Sequence, residues 1–564
     1  FFQMMGAFFA LFASSPEKVA LMVNSMSVFS SAFAILFLFW TLTLLLQKLP
    51  SFKSLDTLTD RIGFFGSAAV GALALCFSDS FWFNAVETEV YAMATLILAA
   101  LFWMGLRWEQ EMNTPRGDRW LLMIAFVIGL SFGVHFMGLL TIPALGMIYY
   151  FKNYKKVTVK GFLYANLIAT AILLVIFKLL LPSTLAFFGK AEVFFVNTLG
   201  LPFNSGTLFA ALAIIAVFYY SLKYTRKKNL VNLNTGILTV LFVLVGFSSW
   251  IMIPIRANAN TVINENSPSD ARLLLAYYNL EQYPETKLFY GPMFSDAYAG
   301  QDPDEPYIDD KPKYERDYTT GKYKIVNFWE DARFNSNSAH NGLLPRLWSS
   351  EHAGNYMNFT EPLEFSIKPS YRSNPQLKSR IDQFREEVAE GAVDGNQYNE
   401  FLKTFSPYLD IEKPSFFSNL KFFIEYQLGY MYLRYFMWNF TGRQNDQQGT
   451  YTILDGNWIS GIPFIDELRL GNQGDLNDDA LNNKARNTYF FLPFLLGLIG
   501  LYFIYTQDPK RFWVLMLFFL FTGIALKVYL NERPFEPRER DYALVGSFYV
   551  FTICQKLCRN HKSP

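Results

Sequence analysis

Long runs without a single charged residue dominate this chain and leave it few folds to choose from. Residues 19–47, 90–106, 120–151, 193–222, 229–255 and 487–507 contain no Asp, Glu, Lys or Arg and are rich in Ile, Leu, Phe and Trp. Each is near or above the roughly 20 residues that a helix needs to cross a bilayer. The apolar residues are gathered into blocks instead of recurring on one helix face, and 564 residues are too many for one ordinary soluble domain. The expected fold is an all-α polytopic membrane bundle.

One long stretch, 256–486, is polar. It carries 23 Lys+Arg and 33 Asp+Glu, whereas the remainder of the chain carries 26 and 15. An acidic polar region offers no basic surface for phosphate, which excludes a nucleic-acid footprint there. The positive excess of the remainder marks cytoplasmic loops instead. The chain has three cysteines, Cys76, Cys554 and Cys558. None lies in the polar region, so it was not built around disulfides, and the Cys554/Cys558 pair lacks a second half to make a zinc site.

Taken in order, residues 1–13 read as a short amphipathic or interfacial helix and Ser14-Ser15-Pro16-Glu17 as a helix start. Spans are expected at 19–47, about 62–78 and 90–106, then two helices within 120–151 that turn around His135. Further spans follow at 161–181, 206–222, 235–254, 488–506, 512–530 and 542–555, eleven in all. Lys48, Lys53, Arg61, Arg107, Arg116, the four lysines of 152–160, the basic cluster 223–228 and Lys510-Arg511 all fall on one side, predicted cytoplasmic. The acidic link 79–89, the segment 182–205, residues 256–486 and the loop 531–541 fall on the other. The domain reading is a membrane bundle over 1–255, an extracytoplasmic mixed α/β insertion over 256–486 and C-terminal membrane helices over 487–564. Within the insertion, 376–405 has helical spacing. The aromatic stretch 415–440 suits a helix lying along the membrane surface, or else a core helix of the insertion.

Ionisable groups beside hydrocarbon-length segments are the first candidates for chemistry. The link Phe77-Ser-Asp-Ser-Phe-Trp-Phe-Asn-Ala-Val-Glu-Thr-Glu-Val-Tyr91 holds Asp79, Glu87 and Glu89. On an extended link Glu87 and Glu89 point the same way and could hold a divalent cation that in turn binds phosphate. Against this, Asn84 and Glu87 fit a capping box that starts a helix near 85, which leaves only Glu89 unexplained. His135 sits at a break in a long apolar run, where it could meet a polar substrate or serve as a helix-to-helix hydrogen-bond partner. Arg533, Arg538 and Arg540 in an outer loop suit a phosphate or pyrophosphate, with Arg256 beside them. The alternative is a loop neutralised internally by Glu532, Glu536, Glu539 and Asp541. No Walker-type loop, Gly-x-Ser-x-Gly or His-Glu-x-x-His motif occurs, which removes support for ATP-driven and metalloprotease readings.

The stretch 77–91, the Gly129-Leu-Ser-Phe-Gly-Val-His135 break, Phe422–Tyr432 with Asn439–Asn445, and Glu532–Leu544 together resemble a bacterial multi-pass family similar to the plexin-domain protein O-mannosyltransferases. That resemblance implies a GT-C glycosyltransferase, which takes a sugar from a polyprenyl-phosphate donor at the outer membrane face. It makes Glu87-Thr-Glu89 the second outer loop, assisting metal or donor binding. The catalytic acid is expected in a first outer loop, in a segment ahead of Phe1. By the same comparison the family's first helix is missing and the C-terminus truncated, so the chain as it stands is expected to transfer nothing.

The function expected is a membrane glycosyltransferase with a lipid-linked sugar as donor and an exported protein or glycan as acceptor, in the bacterial inner membrane with 256–486 in the periplasm. Two other classes compete. A transporter or lipid flippase would show pore-lining charge in several spans and inverted repeats, neither of which the sequence displays. In a membrane-anchored binding or assembly protein, the polar region would do the work.

Overall fold

The computed structural model describes residues 1–49, 52, 55–259, 261–283 and 286–556. Lys53, a charge marker above, and Cys558 lie outside the described residues. Among the described residues seven helices are long and apolar enough to cross a membrane: Pro16–Leu46, Leu58–Cys76, Val90–Glu111, Val159–Thr198, Ser205–Lys227, Val231–Ala257 and Pro509–Leu530. Their length and composition make this an integral membrane protein. Leu492–Gln507 is apolar but shorter, as are Asp118–Ser131, Ile142–Asn153 and Val545–Lys556. Seven of the eleven expected spans are thus met by helices long enough to cross; at the other four positions the helices are shorter than a crossing requires.

The chain divides into two compact units. One comprises Phe1–Tyr283, Tyr435–Ala525 and Arg540–Pro564, the other Pro284–Arg434 and Leu526–Glu539. Residues 256–283 and 435–486, though polar, therefore belong by contact with the helical unit, and 526–539 with the insertion.

The helical unit opens with α1 (Phe2–Ala10), α2 (Val19–Leu46), α3 (Leu58–Cys76), α4 (Asp79–Ala85), α5 (Val90–Glu111), α6 (Asp118–Ser131), α7 (Ile142–Asn153), α8 (Val159–Leu174), α9 (Leu181–Val193), α10 (Ser205–Lys227) and α11 (Val231–Phe247). Helices α3 and α8 begin where a threonine side chain accepts an orphan backbone N–H: Thr57 from Asp60 and Thr158 from Gly161, both at 3.1 Å. α2 packs along α3 and α5, and α6 along α11. The last pair approaches backbone to backbone. A Cβ on Gly129 would stand 1.9 Å from the Val243 carbonyl oxygen, and one on Gly246 2.1 Å from that of Phe126. Small residues at a crossing are how membrane helices gain dispersion contact where burial from water offers nothing.

Two expectations are corrected here. The helix expected to end at 181 continues to Thr198 through Pro182, because the backbone widens into π turns over Val175–Leu180 immediately before the proline and again over Phe194–Thr198. Widened turns redistribute the bonds that the missing proline N–H would break. The chain turns only at 199–204, where Gly200 and Asn204 take φ of 69° and 71°. There the buried carboxylate of Glu192 accepts the N–H groups of Asn204 (2.6 Å) and Thr207 (2.8 Å) and so caps α10. The acidic link, read as extended, is mostly the helix α4, with irregular backbone only at 86–89. The Asn84–Glu87 capping box is accordingly not formed: Asn84 lies buried inside α4, and the N-cap of α5 is Glu89.

The second unit is mixed. Its strands form two-stranded antiparallel pairs, Tyr290–Pro292 with Asn341–Leu343, Tyr307–Ile308 with Arg333–Phe334, Tyr314–Asp317 with Lys322–Ile325 and Phe365–Ile367 with Leu409–Ile411. The helical spacing of 376–405 resolves into Pro375–Ala389 and Gly395–Phe405, the latter opened by an Asp394/Gln397 capping box. Leu347, Tyr356, Ile381, Leu402, Phe422 and Tyr426 form the core. The aromatic stretch 416–440 is helical, with a π segment over Phe423–Leu433. Tyr426, Tyr432, Tyr435 and Trp438 are at most 2% exposed, so these aromatics are packed within protein instead of lying on its surface.

Candidate functional site

The helical unit gathers polar groups around the first residue of α4. Asp79 is 8% exposed although it follows an apolar span. Asn487 Nδ2 donates to its Oδ1 at 2.9 Å and the Tyr489 hydroxyl to its Oδ2 at 3.5 Å. The next residue is held from another direction: Asn439 Oδ1 accepts the Ser80 N–H at 3.0 Å while its Nδ2 donates to Ser80 Oγ at 2.9 Å. A short antiparallel pair, Asn487–Thr488 with Gly442–Arg443, presents these partners, and the Arg443 guanidinium lies 4.1 Å from the centre of the Trp438 ring and 5.6 Å from that of Phe83. Burial raises the Asp79 carboxyl to about 6 and the charge of Asp541 pushes the same way; the bonds from Asn487 and Tyr489 and the Arg443 charge oppose them. The Tyr489 hydroxyl is raised in turn, by burial first and by Asp79 second.

A second cluster lies at the start of α5. The Tyr91 ring is 5.1 Å from the His135 ring and 4.5 Å from that of Tyr542. His135 N-caps a 3-10 turn, its Nδ1 accepting the Met137 N–H at 3.3 Å, and it stacks on Phe136. With Nδ1 used as acceptor, the neutral ring carries its proton on Nε2, which makes His135 a donor toward a ligand instead of a base. Glu87 is exposed and Glu89 half-buried, four and two residues before Tyr91. The Glu89 N–H bonds back to the Glu87 carbonyl at 2.8 Å, and Thr88 bonds to Asn24 of α2.

The expected arginines are distributed between the units. Arg256, exposed near the end of the short helix Met252–Ala257, and Arg540, whose N–H donates to the Tyr435 hydroxyl at 3.1 Å, belong to the helical unit. Arg533 and Arg538 belong to the second unit, where Arg533 pairs with Glu351 at 3.2 Å on an exposed surface. The loop's acid Glu532 reaches Lys527 at 2.6 Å, and its Glu539 grips Arg434 at 3.0 and 2.6 Å. Among the described residues no three His, Cys, Asp or Glu side chains converge as a metal cage would require.

Asp79 was visible in the sequence as a charge beside a span, but its partners were not. Asn487 is 408 residues away, and nothing near it in the chain marks it as polar for a reason.

Residues 1–158 match the family model described as the protein O-mannosyl-transferase TMEM260 N-terminal domain. The resemblance to the plexin-domain protein O-mannosyltransferases is thereby found over that part, which contains Asp79, Glu87, Glu89 and His135. Residues 284–424 match a family of unknown function, DUF8416. Neither a curated protein nor a solved structure matched the chain.

Proposed function

We propose that this protein is a membrane glycosyltransferase of GT-C type that moves a sugar from a polyprenyl-phosphate donor to an exported protein or glycan. The observation that carries the reading is the O-mannosyltransferase match over 1–158, within which the acidic link and the His135 turn meet at Tyr91. The acceptor hydroxyl attacks the sugar's anomeric carbon, the bond to the phosphate oxygen breaks, and the hydroxyl proton must leave. Asp79, with a carboxyl near 6, is ionised at neutral pH yet basic enough to take that proton. His135 donates from Nε2 to a sugar hydroxyl, and Arg540 and Arg256 of the helical unit meet the donor phosphate. A divalent cation at Glu87 and Glu89, when bound, would neutralise phosphate charge. The setting is the bacterial inner membrane with 256–486 facing the periplasm.

Donor consumption by the intact protein in detergent tests this. Asp79→Asn is expected to lower turnover by about 10²–10⁴-fold, and Glu89→Gln to lower it while leaving thermal stability nearly unchanged. Undiminished turnover in both variants would remove the site. No turnover of any polyprenyl-linked sugar by the intact protein would remove the activity.

A further inference from the structure

Helices α5, α6, α7, α8 and α11 enclose a cavity of about 640 Å³, within the size of an ordinary ligand site. Ile128, Leu145, Ile168 and Val243 make it apolar, but Trp108, Tyr150, Tyr154, Lys156 and Thr158 also line it. Those polar groups lie at one end, by the loop 152–160, which carries four lysines and no acid. Trp108 is 7% exposed, and its indole N–H has no acceptor among the described residues. Tyr164, Ile168 and Ile172 line the cavity and are also exposed, at 63%, 58% and 47%. The cavity therefore opens through the apolar flank of α8, a surface that in a membrane faces lipid, and its occupant enters from the bilayer.

We propose that this cavity is a binding site for an anionic phospholipid of the leaflet on the lysine-rich side, with an acyl chain along the apolar wall and the phosphate at Lys156. Charge selects the headgroup, since basic pockets between membrane helices bind anionic lipid heads. The sugar donor does not fit this place. From Tyr91 to Trp108 α5 rises about 25 Å, so a phosphate at Lys156 sits far from the His135 turn and the acidic link. The proposal is independent of the glycosyltransferase reading.

The test uses the intact protein in nanodiscs with acyl-brominated lipids, reading the fluorescence quenching that Trp108→Phe removes. Brominated phosphatidylglycerol is expected to act at about fivefold lower mole fraction than brominated phosphatidylcholine, the selectivity that one well-placed lysine provides. The double variant Lys155→Gln/Lys156→Gln is expected to abolish that preference while quenching persists, and Ala165→Phe, which fills the cavity, to abolish the quenching. If Ala165→Phe does not fold, the lysine variant decides alone. Equal potency of the two lipids on the wild type would overturn the proposal, as would quenching that does not depend on Trp108. Displacement of phosphatidylglycerol by equimolar polyprenyl phosphate would also overturn it, by assigning the cavity to the donor.

Discussion

Asp79 is ionised at neutral pH against its surroundings. Its carboxyl is raised from the ordinary 3.8 to about 6, so between about pH 4 and pH 6 the folded protein holds a proton that the unfolded chain has lost. Stability therefore falls as pH rises through that window, by about 3 kcal/mol in total. Asp79→Asn keeps an acceptor for Asn487 and removes the charge. It is expected to be more stable than wild type at pH 7 and to lack the fall that Asp79 contributes between pH 4 and 6, measured as thermal unfolding in detergent. Superimposable pH profiles of the two proteins would show that Asp79 does not carry the dependence. In the second unit Lys527 and Glu532 are paired with side chains 0% and 3% exposed, and Gln427 donates to the Glu532 carbonyl at 2.7 Å. Lys527→Met leaves a buried carboxylate alone and should cost about 3–5 kcal/mol. Lys527→Met/Glu532→Leu should recover most of that loss, and a double variant as unstable as the single one would count against an uncompensated charge as the cause.

At the scale of elements, composition sets where helices form and close contact sets how they meet. The α6–α11 crossing depends on Gly129 and Gly246, because each would drive a Cβ into a carbonyl of the other helix. Gly129→Leu is expected to destabilise the protein by about 1–3 kcal/mol or more. Val243→Ala should not rescue it, since the obstructing atom is backbone; rescue in a thermal-shift assay would mean that side-chain crowding decides instead. The apolar runs and the lysine-rich loops made this bundle legible before any coordinates. The continuity of Val159–Thr198 was not legible, since a proline in an apolar run ordinarily reads as an end. A π turn has no composition of its own, and whether one forms depends on the helices packed around it.

For the whole molecule, the alternation of basic and acidic loops makes a prediction about sidedness. With Cys76, Cys554 and Cys558 replaced by serine, single cysteines at 87 and 155 should react with an impermeant thiol reagent from opposite sides of the membrane. Labelling from the same side would undo the topology. The sequence by itself determined that this is a helical membrane protein, which segments are apolar enough to span, that a mixed polar region interrupts them, and that motifs along the chain resemble an O-mannosyltransferase family. Each of these rests on composition or local pattern, and desolvation in a bilayer acts on every residue of a segment wherever its neighbours lie. Tertiary structure alone decided that Asn487 and Tyr489 hold Asp79, that Tyr91 brings His135 and Tyr542 together, and that Glu532 and Glu539 turn to Lys527 and Arg434. Hydrogen bonds and ion pairs act over a few ångströms of space, and no period along the chain encodes which distant residue will arrive within that range.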